Sequence, residues 1–533
     1  MTNRRDLLKA GAASLATLSA PSLVLAQAAP ARARTLRAVM HSDLRVFDPI
    51  WTTANITGYH GAMIYDTLFA VDGNFAPQPQ MVSKWAVSDD RKTYTFELRD
   101  GLSFSDGQAV TAADCVASIR RWSVRDGFGQ HLFRRVADTP VVDDKTFRIV
   151  LSEPYGLVIQ ALAKLDPSLC FIMKKKDAET DPNTQVKDAL GSGPFTINRD
   201  ETRAGNRYVY DRNAGYRPRT EAASGLAGGK VVNLDRVIFE NIADQQSALG
   251  ALQNGEIDFY EVPPQDLLDG LEADPNIVVQ GLNKTGHMGW MRLNHLHPPF
   301  DKVEARRAML HLVKQADIMR AVFGEKRWKE CGAFFACGTD MENEASLDWL
   351  KEGQNIAKAR DLFKAAGYDG KPVVILQATD HYLANPAPLL IAQWLRQAGV
   401  NVEVAASDWG GTVTRRSNRK SPAEGGWNVF ITAATGYGFS NPIASSGHAA
   451  TGDKAWFGWP ENARQEQLRD EWAKAPTLQE RQTLARAMQA NAYDYVHHVY
   501  LGQFFRASAW RKNITGIIGM PEIVPFWNVS KSG

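Results

Sequence analysis

The stretch of sequence that decides the fold runs from Tyr94 to Asp114 and reads YTFELRDGLSFSDGQAVTAAD. Its first residues alternate apolar and polar side chains, which predicts a half-buried β-strand. Asp106-Gly107 is a turn signal. Thr111 stands three residues before Asp114, the spacing of a helix N-terminal capping box. A strand, a turn and a helix in succession predict a mixed α/β protein.

Helix and strand patterns continue on both sides of this stretch without a regular βαβ period. The long helix is expected to start at a box of Asp301 and Glu304 and to end at Gly324. The predicted strands lie at 146–151, 257–259 and 400–405, and the predicted helices at 245–254, 301–323, 389–398 and 477–495. Such irregular alternation indicates several sheets whose strands come from distant parts of the chain.

Composition places the chain among globular proteins and excludes several function classes. The chain has 533 residues, 44% hydrophobic and 23% charged, enough for roughly three domains or one large discontinuous fold. Lys plus Arg number 61 against 59 Asp plus Glu, so there is no basic footprint for nucleic acid. A complete Walker loop, a Gly-x-Ser-x-Gly elbow and a His-Glu-x-x-His motif are all missing from the sequence.

The N-terminal segment is predicted to be an export signal. Arg4 and Arg5 form a twin-arginine pattern, an apolar stretch follows at 10–26, and Ala26-Gln27-Ala28 is a small-x-small cleavage site. Residues 1–28 are therefore interpreted as a Tat signal, and the mature chain as a soluble periplasmic protein. The alternative is an amphipathic N-terminal helix.

The cysteines and histidines do not form a recognisable metal motif. There is no Cys-x-x-Cys, and Cys331 and Cys337 flank a short loop and could form a disulfide. Cys115 lies in a helical pattern and is expected to be a buried thiol. His295 and His297 would share one face of a strand, but no third ligand lies near them in sequence. We therefore predict neither a bound metal nor a cofactor.

Two further motifs have ordinary structural interpretations. His497 and His498 are neighbours and would point to opposite faces of an extended segment, which makes them a poor pair of metal ligands. Ser192 in Gly191-Ser-Gly-Pro194 is interpreted as part of a tight turn before a strand rather than as a nucleophile.

An ordered series of short motifs resembles family 5 of the extracytoplasmic solute-binding proteins, which includes dipeptide, oligopeptide, glutathione and nickel binders that serve ABC importers. The series covers nearly all of the mature chain. It consists of IYDTL at 64–68, DGN at 72–74, SKW at 83–85, the 94–114 stretch, GSGPF at 191–195, RN at 212–213, ALQNGEID at 251–258, LN at 293–294, PPFD at 298–301 and RRA at 306–308.

The resemblance implies a two-lobed periplasmic binding protein-like α/β fold with a hinge and an extra domain in the N-terminal half. Lobe 1 would comprise residues 29–75, 200–290 and 500–533, the extra domain residues 76–199, and lobe 2 residues 291–499. The segments at 291–294 and near Leu501 would cross between the lobes. Closure about this hinge would bury the solute and create the shape that the permease recognises.

Function follows from the resemblance as a set of expectations. The protein would be a monomer that binds a peptide-like or other small organic solute without chemistry and delivers it to ABC permease subunits in the inner membrane. It would bind no nucleic acid. Two alternatives stay open: a Tat-exported periplasmic hydrolase, and a binder of a metal chelate instead of a peptide.

The acid that binds the solute amine in peptide-binding members is missing here. In those members an Asp shortly before an Asp-Pro element pairs with the α-ammonium group. When Asn441-Pro442 is aligned on Asp-Pro, Gly438 takes the place of that Asp, and no acidic residue lies between Trp427 and Pro442. A hydrogen bond to a charged group contributes about 1.5–3 kcal/mol, so its loss argues against tight binding of ordinary free-amine peptides through this site. Asp408 could substitute for it in space.

The candidate solute-contacting residues surround this cleft segment. They are aromatic or small residues of the segment, residues after the first predicted strand, residues of the crossing strand, and an aromatic and an arginine that precede the segment. Glycine would let the backbone approach the solute, and an arginine could clamp a carboxylate. The set is Trp51, Asn55, Trp290, Arg292, Trp409, Arg415, Thr435, Tyr437, Gly438 and Phe439.

Overall fold

The computed structural model describes residues 34–165, 168–187 and 190–532. The predicted export signal at 1–28 lies outside the described residues. Across those described ranges, every helix is too short or too polar to cross a bilayer.

The strands come from all parts of the described chain. They are β1 (Thr35–Val39), β2 (Phe69–Val71), β3 (Pro77–Pro79), β4 (Val82–Val87), β5 (Thr93–Leu98), β6 (Val136–Asp138), β7 (Thr146–Leu151), β8 (Phe195–Arg203), β9 (Arg207–Arg212), β10 (Arg236–Glu240), β11 (Phe259–Tyr260), β12 (Ile277–Gln280), β13 (His287–Leu293), β14 (Trp328–Lys329), β15 (Val373–Ala378), β16 (Val402–Ser407), β17 (Val429–Thr435), β18 (His498–Phe504), β19 (Ser508–Arg511), β20 (Ile514–Thr515) and β21 (Ser530–Lys531).

The α-helices of the described residues are mostly short, and the longest lies near the C-terminus. They are Asn55–Ile64, Ala112–Arg125, Gly127–Phe133, Val158–Leu162, Lys175–Ala178, Gln245–Asn254, Leu268–Ala273, Val303–Leu312, Gln315–Phe323, Asp348–Glu352, Ile356–Ala365, Pro386–Gln397, Trp409–Arg415, Gly436–Ser440, Ala463–Lys474 and Leu478–Tyr495.

Three sheets of four or more strands organise the described residues, and the two larger ones collect strands that are distant in sequence, as predicted. A seven-stranded sheet has the order β12-β19-β11-β1-β10-β9-β8, and a six-stranded sheet has the order β14-β18-β13-β17-β15-β16. A four-stranded sheet, β4-β5-β7-β6, is built from the N-terminal half alone. The architecture is the mixed α/β arrangement of two lobes and one extra unit that the sequence predicts.

The chain crosses between the two large sheets at two places. β12 and β13 are joined by residues 281–286, and β18 and β19 by residues 505–507. β13 and β18 pair with each other in the middle of the six-stranded sheet. The predicted lobe boundaries at 290/291 and 499/500 therefore fall within strands, several residues away from the crossings.

The 94–114 stretch folds as its pattern predicts. β5 has alternating burial, with Tyr94, Phe96 and Leu98 on the buried face. Thr111 and Asp114 form the expected capping box at the start of the helix Ala112–Arg125. The helix buries its apolar face against β7 and the neighbouring helices, which explains why the four-stranded unit is compact.

The predicted long helix at 301–323 is wrong in two respects. It is divided into Val303–Leu312 and Gln315–Phe323, because the backbone between them is extended. Asp301 does not cap it, since the N-cap residue is Lys302 and no side chain caps the first turn. A neighbouring loop ends the first helix: the side chain of Gln354 donates to the free carbonyl of Leu312 over 2.6 Å.

The predicted cysteine and turn features are present in the described chain. Cys331 and Cys337 form a disulfide, and Cys115 is a buried free thiol. Gly191 lies so close to the preceding helix that an added Cβ would come within 1.6 Å of the carbonyl oxygen of Ile64. The Gly191–Gly193 turn is therefore a point of close backbone approach.

Candidate functional site

The candidate site lies where the carboxyl ends of parallel strands from both large sheets face each other. In the seven-stranded sheet, β1 pairs in parallel with β10 and β11. In the six-stranded sheet, β15 pairs in parallel with β16 and β17. Ligands of open α/β sheets bind outside the carboxyl ends of the strands, so this is the expected position of a ligand cleft.

Side chains with polar or aromatic character follow directly after these strand ends. His41 comes after β1 and Glu261 after β11, both from the seven-stranded side. His381 comes after β15, Trp409 after β16, and Thr435 ends β17 on the other side. The fold thus brings together residues from five separate parts of the chain.

Glu522 joins the two sides of the cleft. Its carboxylate accepts a hydrogen bond from the amide of Asn55, which begins a helix packed against β8 of the seven-stranded sheet. Thr435, at the end of β17, lies close enough to this carboxylate to lower its pKa. Glu522 has a backbone φ of 64°, a left-handed conformation that is uncommon outside glycine and is often found at functional sites.

Glu261 is held in place by groups of its own lobe. The hydroxyl of Tyr59 donates to one carboxylate oxygen over 2.6 Å. The backbone N–H of His41 donates to the other over 2.8 Å, and the His41 ring nitrogen Nδ1 lies 2.8 Å from the same oxygen. Burial alone would raise the pKa of Glu261, but these contacts lower it to about 2. Glu261 is therefore a fixed negative charge at neutral pH.

An aromatic wall faces Glu261 and Glu522 from the six-stranded side. His381 stacks on Trp409 at 4.4 Å and on Tyr382 at 4.4 Å between ring centroids. The Nδ1 atom of His381 accepts the backbone N–H of Ala384 over 3.0 Å, which orients the ring. Burial, followed by the charge of Arg506, lowers the pKa of His381 to about 4, so the imidazole is neutral at neutral pH.

Tyr382 belongs to this aromatic wall. It keeps 40% of its surface accessible, and burial raises the pKa of its hydroxyl. Arg506, which follows β18 at the second crossing, lies with its guanidinium carbon 5.8 Å from the centre of the Tyr382 ring.

Four of the predicted contact residues meet in this cleft. Asn55 and Thr435 share Glu522, and Trp409 is part of the aromatic wall. Tyr437 reaches across to the other side, where its ring lies 5.0 Å from that of Phe75. Its backbone N–H donates to Thr285 in the first crossing over 3.0 Å, so the cleft segment is anchored to the hinge.

Gly438 lies next to these residues, and the structure supplies the acid that it lacks. Its N–H donates to the Thr435 hydroxyl oxygen over 3.1 Å. The same hydroxyl lies beside the Glu522 carboxylate, so a carboxylate stands near Gly438. The substitute suggested by the sequence, Asp408, instead caps the helix Trp409–Arg415 by accepting the N–H of Gly411 over 2.6 Å.

Three predicted residues lie in the core beside the cleft. Arg292 is fully buried, and its guanidinium donates to three backbone carbonyls, including that of Phe457 over 2.8 Å. Trp290 stacks on Trp456 at 5.1 Å and meets Phe439 edge to face at 5.3 Å. These contacts are aromatic packing around a buried cation, a structural arrangement.

Two other predicted residues are engaged elsewhere. The indole of Trp51 donates to the carbonyl of Asn183 over 2.9 Å, and Arg125 donates to its backbone carbonyl, so Trp51 packs on the four-stranded unit. Arg415 donates to the carbonyls of Gly425 and Gly426, which close its own loop. Neither side chain points to the groups that surround Glu522.

Sequence reasoning missed His41, Glu261, His381, Tyr382, Arg506 and Glu522. Four of them follow within a few residues of a parallel strand, and this position was a usable signal once those strands were recognised. Arg506 follows an antiparallel strand, and Glu522 lies in an irregular C-terminal segment. Only the tertiary structure brings these last two to the cleft.

The paired histidines do not converge on a common point. His295 contacts the carbonyl of His497 over 3.3 Å, and His297 contacts the carbonyl of Arg419 over 2.8 Å. In the part of the chain that the structure describes, no group of three or more His, Cys, Asp or Glu side chains is arranged to hold a metal ion.

Comparison with known sequences gives a consistent result. The model of the family "Bacterial extracellular solute-binding proteins, family 5 Middle" matches residues 76–455. A probable peptide ABC transporter periplasmic-binding protein of Sinorhizobium fredii is 47% identical, with 99% of each chain covered. A glutathione-binding protein of Salmonella typhimurium is 25% identical, with 79% of each chain covered.

Solved structures show the same fold. A periplasmic binding protein in complex with agropinic acid from A. tumefaciens aligns with a TM-score of 0.77 and 21% identity, covering 94% of this chain and 99% of that one. A periplasmic binding protein of Helicobacter pylori in complex with the peptide STSA aligns with a TM-score of 0.76 and 20% identity, covering 94% of this chain and 98% of that one.

Proposed function

Since the chain belongs to family 5 of the bacterial extracellular solute-binding proteins, we propose that its solute is a small amine-bearing, peptide-like molecule held in the cleft around Glu522. The protein is the periplasmic solute-binding component of an ABC importer. One observation carries the proposal: a single carboxylate accepts a hydrogen bond from Asn55 on one side of the cleft and lies beside Thr435 on the other.

In this proposal the Glu522 carboxylate replaces the ammonium-binding acid that is missing at Gly438. Its carboxylate stands beside the segment where peptide-binding members carry their ammonium-binding Asp. A carboxylate offers about four lone-pair sites, so the hydrogen bond from Asn55 leaves capacity for a solute ammonium group. Burial raises the pKa of Glu522, and the neighbouring Thr435 and Asn55 side chains oppose this rise. A solute ammonium group would favour the ionised form further.

The rest of the cleft suits a small organic solute. Tyr437 and Trp409 offer apolar faces, and Thr435 and Asn55 offer hydrogen-bonding groups that are already oriented by Glu522. Few, well-placed polar groups among aromatic side chains are the usual composition of a small-molecule site. The relatives' solutes, a peptide, glutathione and agropinic acid, are all small and polar.

We propose that the protein binds and releases its solute without changing it chemically. The solute enters between the lobes, the segments at 281–286 and 505–507 bend, and the closed form docks on the permease. We propose that the chain acts as a monomer, that it performs no catalysis, and that the twin-arginine segment directs it through the Tat pathway. A solute recovered chemically unchanged after incubation with the protein would support the absence of catalysis.

The proposal is tested with a thermal-shift and calorimetry screen of the mature protein after removal of any bound solute by unfolding and refolding. The panel holds dipeptides to pentapeptides, glutathione, opines, N-acetylated peptides and nickel chelates. A solute at 100 times its Kd adds about 2.7 kcal/mol to the stability of the folded form. We expect shifts with free-amine solutes and none with their N-acetylated forms.

Two variants assign the binding to this cleft. Glu522→Gln should weaken binding of a free-amine solute about 10-fold to 100-fold, since a charge-assisted hydrogen bond is lost. Asp100→Asn is the matched control, because that acid pairs with Lys145 on the surface beside the four-stranded sheet. Equal affinities of Glu522→Gln and the wild type would refute the role of Glu522. Binding of N-acetylated solutes alone would refute the amine requirement.

A further inference from the structure

Gln503 is a fully buried polar side chain near the end of β18, just before the second crossing. Its amide nitrogen Nε2 donates to the backbone carbonyl of Thr285 over 2.6 Å and to that of Cys337 over 3.0 Å. Thr285 belongs to the first crossing, and Cys337 closes the disulfide loop 331–337. One side chain therefore joins three parts of the chain that are distant in sequence.

The two acceptors determine the orientation of the Gln503 amide. An amide side chain has two N–H donors and one carbonyl acceptor, so turning it over would place its oxygen against two carbonyl oxygens. In the observed orientation Oε1 is buried and has no donor among the described residues. A buried acceptor without a donor costs free energy, which an apolar side chain of the same length would avoid. The glutamine accepts this cost and supplies donors to Thr285 and Cys337.

Thr285 transmits this restraint to the cleft segment. Its hydroxyl oxygen accepts the backbone N–H of Tyr437 over 3.0 Å. The N–H of Gly436 donates to the carbonyl of Gly286 over 2.8 Å. A Cβ atom at position 436 would collide with the carbonyl oxygen of Thr285, the same atom that accepts the hydrogen bond from Gln503. The start of the helix Gly436–Ser440 therefore packs directly on the part of the crossing that Gln503 holds.

We infer that Gln503 is a positioning residue for solute binding, which holds the first crossing in the shape that places Gly436 and Tyr437 in the cleft. Its effect on binding rests on the proposed function, whereas the positioning exists without a solute. Gln503 does not touch the solute, because its side chain is fully buried and both of its N–H donors are used. It acts through Thr285, and the disulfide loop is its second anchor.

Gln80 provides a matched comparison for a glutamine with a purely structural role. It is also fully buried, and its Nε2 donates to a distant backbone carbonyl, that of Gly228, over 3.4 Å. It lies between β3 and β4 in the N-terminal half, apart from both crossings. Loss of Gln80 should lower stability without any specific effect on the cleft segment.

The first experiment measures amide hydrogen exchange by mass spectrometry on the mature, solute-free protein. Gln503→Met and Gln80→Met are compared with the wild type, since methionine keeps the length of the side chain without its donors. For Gln503→Met we expect at least about 5-fold faster exchange in peptides covering 283–287 and 434–438, as local opening becomes easier by one typical hydrogen bond, and an unchanged rate in β5. Gln80→Met should leave the 434–438 peptide at the wild-type rate.

Two results of this experiment would overturn the inference. The first is wild-type exchange at 434–438 in a folded Gln503→Met protein. The second is equal acceleration in all peptides, including those of β5, because that would show a general loss of stability. If Gln503→Met does not fold, Thr285→Val decides: it should accelerate exchange at 434–438, while Thr285→Ser, which keeps the hydroxyl, should not. Equal exchange in Thr285→Val and Thr285→Ser would then overturn the inference.

A second experiment separates this inference from the proposed function. Glutathione is titrated by calorimetry into the wild type, Gln503→Met, Thr285→Val and the double variant. We expect about 5-fold weaker binding in each single variant and no further loss in the double variant, because both changes release the same link. Additive losses would overturn the route through Thr285. A wild type that binds neither glutathione nor peptides would refute only the peptide-like solute, and the exchange rates would still decide the role of Gln503.

Discussion

Acidification should destabilise this protein steeply because it buries neutral histidines. His60 and His448 are almost completely buried, with 1% and 0% of their surfaces accessible. Burial is the main cause that lowers the pKa of each from 6.5 to about 3. His448 donates from Nε2 to the backbone carbonyl of Phe334 over 2.8 Å, and its ring stacks on the Phe334 ring. Neither contact supplies an anion that would stabilise the protonated imidazolium.

The sign and the magnitude follow from the difference between the folded and unfolded pKa values. Because the folded pKa lies below the unfolded one, the unfolded chain takes up protons first as the pH falls below 6.5. Stability is then lost progressively until the pH approaches 3. At about pH 5 each histidine lowers the free energy of unfolding by about 2 kcal/mol relative to about pH 7.5, and the two together lower it by about 4 kcal/mol. Domains have only about 5–15 kcal/mol of stability in total.

The assay is urea unfolding of the mature, solute-free protein at several values between about pH 5 and about pH 7.5. His60→Gln and His448→Gln should each remove about half of the 4 kcal/mol contribution to the pH slope, whatever they do to stability at neutral pH. His297→Gln, at a half-buried histidine, is the matched control. The reasoning fails if the double variant His60→Gln/His448→Gln keeps the wild-type slope.

Three further outcomes are expected. Asp470→Asn removes a carboxylate that pairs with the cationic Arg135 at 3.5 Å and contacts the neutral ring of His131 at 3.3 Å beside the four-stranded unit, so small-angle scattering should show a larger fraction of open molecules without solute, most clearly at low salt; identical profiles would contradict this role. The double variant Cys331→Ser/Cys337→Ser should lose about 2 kcal/mol of stability in urea, because the disulfide no longer restricts the unfolded chain; an unchanged midpoint under non-reducing conditions would contradict it. Gly191→Ala should lower the soluble yield and the Tm sharply, since its Cβ would meet the carbonyl of Ile64, and a wild-type Tm would show that this turn can move.

Local patterns determined much of the fold. The alternation in β5, the capping box at Thr111 and the left-handed Gly255 after the helix Gln245–Asn254 are all present as predicted. Each of these features depends on residues that lie only a few positions apart in the chain, so the local sequence is enough to predict it. The ordered family motifs added the two-lobed architecture, because they occur in one order over nearly the whole mature chain. The long helix was mispredicted because a loop from 354–355 ends it, a contact outside the local pattern.

The cleft required the tertiary structure. Sequence reasoning placed Thr435 and Tyr437 beside a missing acid, but the carboxylate comes from Glu522, more than 80 residues later, in a segment without regular structure. Arg292 and Arg506 are both arginines near a crossing, and the residues next to them in the sequence do not distinguish the role of one from that of the other. Only packing does: the first donates to three carbonyls in the core, and the buried Nε atom of the second has no acceptor among the described residues. Whether a polar side chain is structural or available to a solute depends on which distant groups satisfy its hydrogen bonds, and that is decided when the lobes fold together.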